Sequence, residues 1–212
     1  MFHYHRGVTT FADALAEFEQ AWADPRHTAA ALPDVDVNRV LAERYTAEPA
    51  IVVTRDQVWD MEVRKAWDPV RYIPYVVSEG TSWGRTELSD GSRRHLRSSV
   101  QEAWTDETQG RVFEEVVTDP VQRRILFLGR ARMEAADGTL LQTDEFQPLF
   151  HVEHAVGGTQ DAPTNMWRIV SLTDAPDPAL RAFFDDMAAA GWLPGFLEIY
   201  LEQDLGVILH RR

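Results

Sequence analysis

The 212-residue sequence contains no cysteine, a single lysine and no long apolar run. Without cysteine, the chain has neither a disulfide framework nor thiolate chemistry. Its formal net charge of −13, with no block of basic residues, leaves little to neutralise a phosphate backbone and disfavours nucleic-acid binding. No stretch is long enough for a bilayer span, and the first residues lack a signal-peptide pattern. These absences predict a cytoplasmic protein with no membrane or nucleic-acid partner.

The composition is that of one folded domain. Hydrophobic residues make up 44% of the chain and aromatic residues 10%, including seven tryptophans, which is enough apolar surface for a sizeable core. There is no internal repeat, low-complexity tract or clear linker. A single domain over residues 1–212 is therefore expected.

Helices are predicted near both ends of the chain. The first has large apolar residues at spacings of three and four, after two threonines that can cap it: Phe11, Leu15, Phe18 and Trp22. A second, shorter helix begins at Asp36 and ends before Pro49. Near the C-terminus, a pair of helices is broken at Gly191 and Pro194.

The middle of the chain is rich in strand signals. Residues 50–77 combine strand-like alternation with helical spacing, and both interpretations stay open. Residues 81–96 contain a Ser-Asp-Gly turn between two possible strands, although residues 92–107 equally favour a helix. From residue 111, β-rich runs separated by Asp-Pro, Asp-Gly and Gly-Gly turns predict an antiparallel meander. The fold class is therefore α+β, with helices first, a sheet next and helices last.

This order of elements resembles the NTF2-like superfamily, in particular its SnoaL-like polyketide cyclases and isomerases. Two N-terminal helices precede a meander that finishes in an aromatic-rich strand ending in Asp, MWRIVSLTD. The resemblance gives a core over residues 10–174 with an insertion around 48–91, and a helical extension over 175–212. It implies helices packed on a strongly curved antiparallel sheet, cone-shaped with a central apolar pocket, and no cofactor.

A rival resemblance is to START-like, or helix-grip, lipid-binding and cyclase proteins. In residues 56–76, DQVWDMEVRKAWDPVRYIPYV, a Val-Trp helix precedes an Asp…Tyr…Pro segment. The strand-like run DPVQRRILF and the helix after the sheet also resemble this group. It implies the same kind of apolar pocket.

The strand around residue 150 carries the candidate catalytic residues. Alternate residues of a strand share a face, so Asp144 and His154 lie on the apolar parity with Phe150, whereas His151 and Glu153 lie on a parity expected to be solvated or subunit-facing. A carboxylate on a core face is costly unless it is hydrogen-bonded or protonated, and desolvation raises its pKa. Asp144 is therefore the candidate acid or base, with His154 or His151 as its partner. The alternatives are that Asp144 lies in water at the sheet rim or caps a nearby backbone group, and that the two histidines have structural roles.

Metal binding is the competing chemistry. His151, Glu153 and His154, which are close in sequence, supply enough donors for a three-ligand site. A metal-dependent enzyme using these three residues is thus an alternative function. Their spacing matches no specific metal motif, so no metal is expected.

Two groups of apolar residues suggest what the chain binds. Seven aromatic residues are candidates for substrate binding, and their alternative role is core packing: Trp59, Trp67, Tyr72, Trp83, Phe127, Phe146 and Phe150. Four leucines lie on the parity that otherwise carries charges, which predicts a homodimer: Leu126, Leu128, Leu141 and Leu149.

These residues and the resemblance together indicate a function. We expect a cofactor-independent acid–base enzyme of bacterial secondary metabolism, acting on a hydrophobic, polyketide-like molecule as a cyclase, isomerase or dehydratase. The alternative is a noncatalytic carrier or binding protein for a small hydrophobic ligand. A buried carboxylate in contact with a histidine is the feature that separates the two.

Overall fold

The computed structural model describes residues 8–105, 108–143 and 149–212. Within these ranges the helices are α1 (Phe11–Ala23), α2 (Val37–Arg44), α3 (Arg55–Trp67), α4 (Pro69–Tyr72), α5 (Pro178–Ala190) and α6 (Gly195–Gln203). The strands are β1 (Thr28–Ala31), β2 (Val35–Asp36), β3 (Tyr45–Glu48), β4 (Val77–Glu87), β5 (Arg93–Glu102), β6 (Gln109–Asp119), β7 (Arg124–Gly129), β8 (Arg132–Glu134), β9 (Leu140–Gln142), β10 (Phe150–Gly158), β11 (Pro163–Ser171) and β12 (Ile208–Arg211). The α+β class expected from the sequence is confirmed.

In the part of the chain that the structure describes, eight strands form one antiparallel sheet. Its order is β1, β11, β10, β7, β6, β5, β4, and β2 adds a short pairing to β11. The Ser-Asp-Gly turn joins β4 to β5, as predicted. The helical alternative is wrong over Arg93–Glu102, because these residues form β5, which pairs along its whole length with β6. Two smaller antiparallel pairs, β8 with β9 and β3 with β12, lie outside this sheet.

Helix α1 covers one face of the sheet. Thr10 caps it, because its Oγ1 accepts a hydrogen bond from Asp13 N at 3.1 Å. The buried side of α1 packs against Leu126 and Leu128, both fully buried. Two of the four leucines on which the homodimer prediction rests therefore do not support it, since they lie beneath a helix of the same chain.

The same face carries paired charges rather than a solvated surface. Glu153 accepts hydrogen bonds from Arg124 Nε at 2.6 Å and Arg168 Nε at 2.5 Å. His151 Nε2 lies 3.4 Å from a carboxylate oxygen of Glu17 in α1. The expectation that His151 and Glu153 face solvent is wrong, because both are buried beneath α1 and Glu153 is paired with two arginines.

Helix α3 covers the other face and settles the ambiguous segment. It begins with a capping box in which Thr54 N donates to Gln57 Oε1 at 2.8 Å and Gln57 N donates to Thr54 Oγ1 at 3.2 Å. Ala66 packs with Val116 and Phe127, whose side chains lie on the face of the sheet opposite to the one that α1 covers. This helix, strand β7 and the helix after the sheet are the elements on which the START-like resemblance rests.

The C-terminal helices are separated as predicted. Gly191 ends α5 with φ of 67°, a left-handed conformation that glycine adopts without strain. The link then reaches Pro194, which precedes α6. Leu193 in this link is 2% exposed and packs in the largest apolar cluster. The α5–α6 link is therefore a fixed part of the fold, positioned opposite the sheet.

Candidate functional site

A cavity of about 770 Å³ lies between the α3 face of the sheet and helices α2, α5 and α6. This volume suits a small-molecule ligand. Much of the wall is apolar and aromatic, contributed by Trp104, Phe127, Val152, Trp167, Leu193 and Phe196. Four ionisable residues of the wall are nonetheless buried: Lys65, Arg97, Glu114 and His154.

A buried ion pair on α3 forms the centre of the polar wall. Glu62 and Lys65 are one helical turn apart, and Lys65 Nζ lies 2.6 Å from Glu62 Oε2. Glu62 is 0% exposed and Lys65 is 3% exposed, so water screens this pair very little. The ammonium also lies 3.8 Å from the ring centroid of Phe196, which adds a cation–π contact.

His154 of β10 joins this pair through a single ring nitrogen. Its Nδ1 lies 2.9 Å from Lys65 Nζ and 3.1 Å from Glu62 Oε1. A ring nitrogen carries either a proton or a lone pair, so Nδ1 donates to Glu62 when protonated and accepts from Lys65 when it is not. The arrangement therefore provides a short path for a proton between Lys65 and His154, next to a carboxylate that stabilises the imidazolium.

The environment sets the charge of each group. Burial lowers the pKa of His154. The Glu62 carboxylate raises this pKa and the Lys65 charge lowers it, and the net result is a lowered pKa. Burial also lowers the pKa of Lys65 to about 8, although Glu62 opposes this. Burial disfavours ionisation of Glu62, but the attraction of His154 and Lys65 outweighs it and holds the pKa of Glu62 well below its usual range. Near neutral pH the favoured state is an ionised Glu62, a neutral His154 and a largely charged Lys65.

A second buried ion pair lies next to the first. Arg97 of β5 donates from Nε and Nη2 to Glu114 Oε2 of β6, at 2.8 and 2.5 Å. Arg97 Nη1 also donates to the carbonyl of Ala66 at 3.3 Å, near the C-terminal end of α3. Arg97 lies over the ring of Phe127 at 4.8 Å. These contacts fix the position of the α3 end relative to the sheet.

Strand β11 contributes two polar groups. Asn165 Nδ2 donates to Glu62 Oε1 at 2.8 Å, which holds the carboxylate in place. The ring of Trp167 lies 5.0 Å from that of His154. Its Nε1 is buried and has no hydrogen-bond partner among the residues that the structure describes, although Trp167 lines the cavity. A ligand oxygen in the cavity would supply the missing acceptor.

Of the predicted catalytic residues, the structure places His154 at the cavity and His151 away from it. Within β10 the pairing is regular, with His151 opposite Leu128 and His154 opposite Ile125, so the two histidines lie on opposite faces of the sheet. The three-ligand metal site is therefore wrong, because His151 and Glu153 lie beneath α1 while His154 faces the cavity. Asp144 lies outside the described residues.

The predicted substrate-binding aromatics have mixed outcomes. Phe127 lines the cavity, and Phe146 lies outside the described residues. Five others do not line it: Trp59, Trp67, Tyr72, Trp83 and Phe150. Most of them have structural partners, since the Tyr72 hydroxyl donates to Asp204 at 2.8 Å, Trp67 packs on His95 and Phe150 packs on Trp104. Core packing, the alternative considered for them, accounts for these three contacts.

Several residues of the polar site were missed by the sequence analysis. Glu62, Lys65 and Asn165 carry no recognisable motif, and charged residues of a helix are usually solvated. A signal was nevertheless present, because Glu62 and Lys65 follow Val58 and Met61 along the buried side of α3. Two opposite charges within a buried helical stripe indicate a polar site.

Comparisons with known proteins give similar structures but no family. No protein-family model matches the chain, and no curated protein matches it. Seventy solved chains match. The Zhui aromatase/cyclase from Streptomyces sp. R1128 is 11% identical with a TM-score of 0.45, covering 84% of this chain and 94% of that one.

Two other solved structures are also similar. The di-domain ARO/CYC StfQ from the steffimycin biosynthetic pathway is 11% identical with a TM-score of 0.48, covering 92% of this chain and 56% of that one. A START superfamily protein from Mycobacterium smegmatis is 12% identical with a TM-score of 0.37, covering 77% of this chain and 97% of that one. Because the identities are this low and no TM-score reaches 0.5, these likenesses carry no argument about the function of this chain. No helix within the described ranges is long and apolar enough to cross a membrane.

Proposed function

We propose that this chain is a cofactor-independent enzyme that takes a hydrophobic, carbonyl-bearing small molecule into the cavity and transfers protons on it. The observation that carries the proposal is the buried Glu62–Lys65–His154 cluster at the cavity wall. Burying two charges costs several kcal/mol per ion before their attraction is counted, and well-packed apolar residues are often as stable or more stable. Such a cluster in a cavity is typical of a functional site.

Each member of the cluster has a role in this proposal. His154 accepts a proton from the carbon next to the ligand carbonyl and later returns it, and Glu62 stabilises the imidazolium in between. The Lys65 ammonium and the unpaired Nε1 of Trp167 stabilise the negative charge that develops on the carbonyl oxygen. Enolate formation of this kind is the first step shared by cyclisation, isomerisation and dehydration, the reactions that the polyketide-cyclase resemblance implies.

Noncatalytic ligand binding is the second candidate function. It is favoured by the size of the cavity and by its largely apolar wall. A carrier needs that wall but has no use for a proton-transfer cluster. The buried carboxylate in contact with a histidine, here Glu62 with His154, therefore favours the enzyme.

The test uses 1-tetralone, an apolar aromatic ketone with exchangeable protons beside its carbonyl. Binding is measured by calorimetry, and proton transfer by the NMR-detected exchange of these protons for deuterium in heavy water. We expect the wild type to accelerate exchange and His154→Gln to slow it by about 100-fold or more.

His95→Gln is the matched control. His95 is also buried on the α3 face of the sheet, but its Nε2 is bonded to the Ala66 carbonyl at 3.0 Å and it does not line the cavity. This variant is expected to exchange at the wild-type rate. Binding without accelerated exchange, or equal losses in both variants, would refute catalysis and leave the carrier function.

A further inference from the structure

Lys65 is the only lysine of the chain, and it lies at the cavity wall among groups that can take its proton. Its Nζ contacts Glu62 Oε2 at 2.6 Å and His154 Nδ1 at 2.9 Å. It also lies over the ring of Phe196, an apolar surface against which a ligand can lie. A salt bridge that served only stability would not require a lysine at a ligand cavity.

We infer that Lys65 forms a reversible imine with an aldehyde or unhindered ketone bound in the cavity. This inference rests on the proposed function only in that the cavity must bind a carbonyl compound. It adds a covalent role for Lys65 in place of a purely electrostatic one.

The step is balanced with groups that the cavity provides. Lys65 transfers one ammonium proton to His154 Nδ1, and the resulting imidazolium is stabilised by Glu62 Oε1 at 3.1 Å. The free amine adds to the carbonyl carbon, so a carbon–nitrogen bond forms as the carbonyl π bond breaks. The carbinolamine oxygen then takes the proton back from His154 and a second one from nitrogen, and leaves as water. The products are the protonated imine, which keeps the positive charge of the original ammonium, and one water molecule, with no oxidant or reductant.

The burial of Lys65 makes its amine available near neutral pH. With a pKa of about 8, roughly a tenth of the amine is uncharged at pH 7, against roughly one part in three thousand for an ordinary lysine. The geometry supplies both the amine and the proton acceptor.

The experiment traps the imine with sodium cyanoborohydride, which reduces it to a stable secondary amine. The full chain is incubated at pH 7 with 2-naphthaldehyde and the reductant, then digested with trypsin. Because a substituted lysine resists cleavage, modification at Lys65 yields the peptide 65–71 carrying the mass of the aldehyde less one oxygen atom. The α-amino group of the chain, the other primary amine, serves as the internal comparison.

We expect Lys65 to be labelled at least about tenfold faster in the folded chain than in the urea-unfolded chain, consistent with its larger uncharged fraction. An excess of 2-ethylnaphthalene, which lacks a carbonyl, should slow the labelling of Lys65 but not that of the α-amino group. Equal rates in the folded and unfolded chains, labelling of the α-amino group alone, or no effect of the competitor would overturn the inference.

The outcome is separable from that of the proposed function. Lys65→Arg keeps the positive charge but has no primary amine, so it should lose the trapped adduct. Since the wild-type peptide already assigns the site, the inference stays testable even if this variant fails to fold. A wild type that binds 1-tetralone and accelerates its exchange, but gives no adduct with 2-naphthaldehyde, refutes the imine alone.

Discussion

Replacing the buried ion pair as a unit is expected to preserve or raise stability, whereas breaking it should lower stability. In Glu62→Gln combined with Lys65→Met, the new amide oxygen can still accept from Asn165 and its NH₂ can donate to His154 Nδ1, while the methionine fills the lysine site without a charge. We expect this double variant to unfold with a free energy equal to that of the wild type or up to about 3 kcal/mol higher.

The single variants should behave in the opposite way. Glu62→Gln leaves the Lys65 ammonium buried without its carboxylate, which costs about 3 kcal/mol or more. The ammonium can relieve part of this cost by releasing its proton, because the pKa of Lys65 is already lowered from 10.5 to about 8 in the wild type. Lys65→Met should cost less than Glu62→Gln, since His154 can take up a proton and neutralise Glu62.

Urea unfolding at pH 7, followed by tryptophan fluorescence and by circular dichroism, measures these free energies. The two probes should give coincident transitions if unfolding is two-state. A double variant less stable than either single variant would show that the pair is needed for stability. Such a result would remove the argument that the cluster is retained for function.

Three further predictions follow from the same contacts. The pKa of Lys65 is lowered from 10.5 to about 8 by folding, so between these pH values the unfolded chain binds the proton of Lys65 more tightly than the folded chain does. The free energy of unfolding of the wild type, relative to that of Lys65→Met, should therefore rise by about 3 kcal/mol between pH 8 and 10.5. Urea unfolding of both proteins across this pH range tests the sign of the change. His151→Gln should lose about 1 kcal/mol of stability, since His151 Nδ1 accepts from Gly129 N at 3.1 Å, yet calorimetry should show unchanged 1-tetralone affinity; weaker binding would contradict the separation of the two faces. Trp167→Phe keeps the ring beside His154 but removes its N–H, so it should weaken binding of 1-tetralone by about 1 kcal/mol and leave that of naphthalene unchanged; equal losses for both ligands would show that the indole N–H donates to neither.

Local patterns were sufficient to predict several elements of the fold. Helix α1 follows from apolar residues at helical spacing behind the Thr10 cap, and the end of α5 follows from Gly191. The strands of the meander follow from alternation and turn residues. All of these are properties of neighbouring residues in the chain.

The covering of the sheet was not predictable in this way. Strand parity separates two faces but does not say what packs on each, so a face bearing charges was expected to be solvated. In the structure, Glu153 and Arg168 neutralise each other beneath α1. A strand face that carries charged residues can therefore be buried when these charges pair with opposite charges on neighbouring strands.

The site depended on contacts between distant parts of the chain. His154 was identified because it lies on the cavity parity of β10, but its carboxylate partner was expected at Asp144. The described partner is Glu62, 92 positions away, on a segment whose pattern was ambiguous between helix and strand. Only the packing of α3 on the sheet brings these residues together.

The regular pairing of β10 has a consequence for how this protein can change. Successive residues of the strand serve different purposes, since Val152 and His154 face the cavity, while on the other face His151 contacts Glu17 of α1 and Glu153 pairs with arginines of the neighbouring strands. Substitutions on the cavity parity can therefore alter which ligands are accepted without loosening the attachment of α1. A library randomised at Val152 and at its neighbour across the strand pair, Phe127, should yield variants with new ligand preferences and nearly unchanged melting temperatures. A library of equal size at His151 and Glu153 should yield variants with changed melting temperatures and nearly unchanged ligand preferences. Ligand preference and stability can therefore be varied separately within one strand.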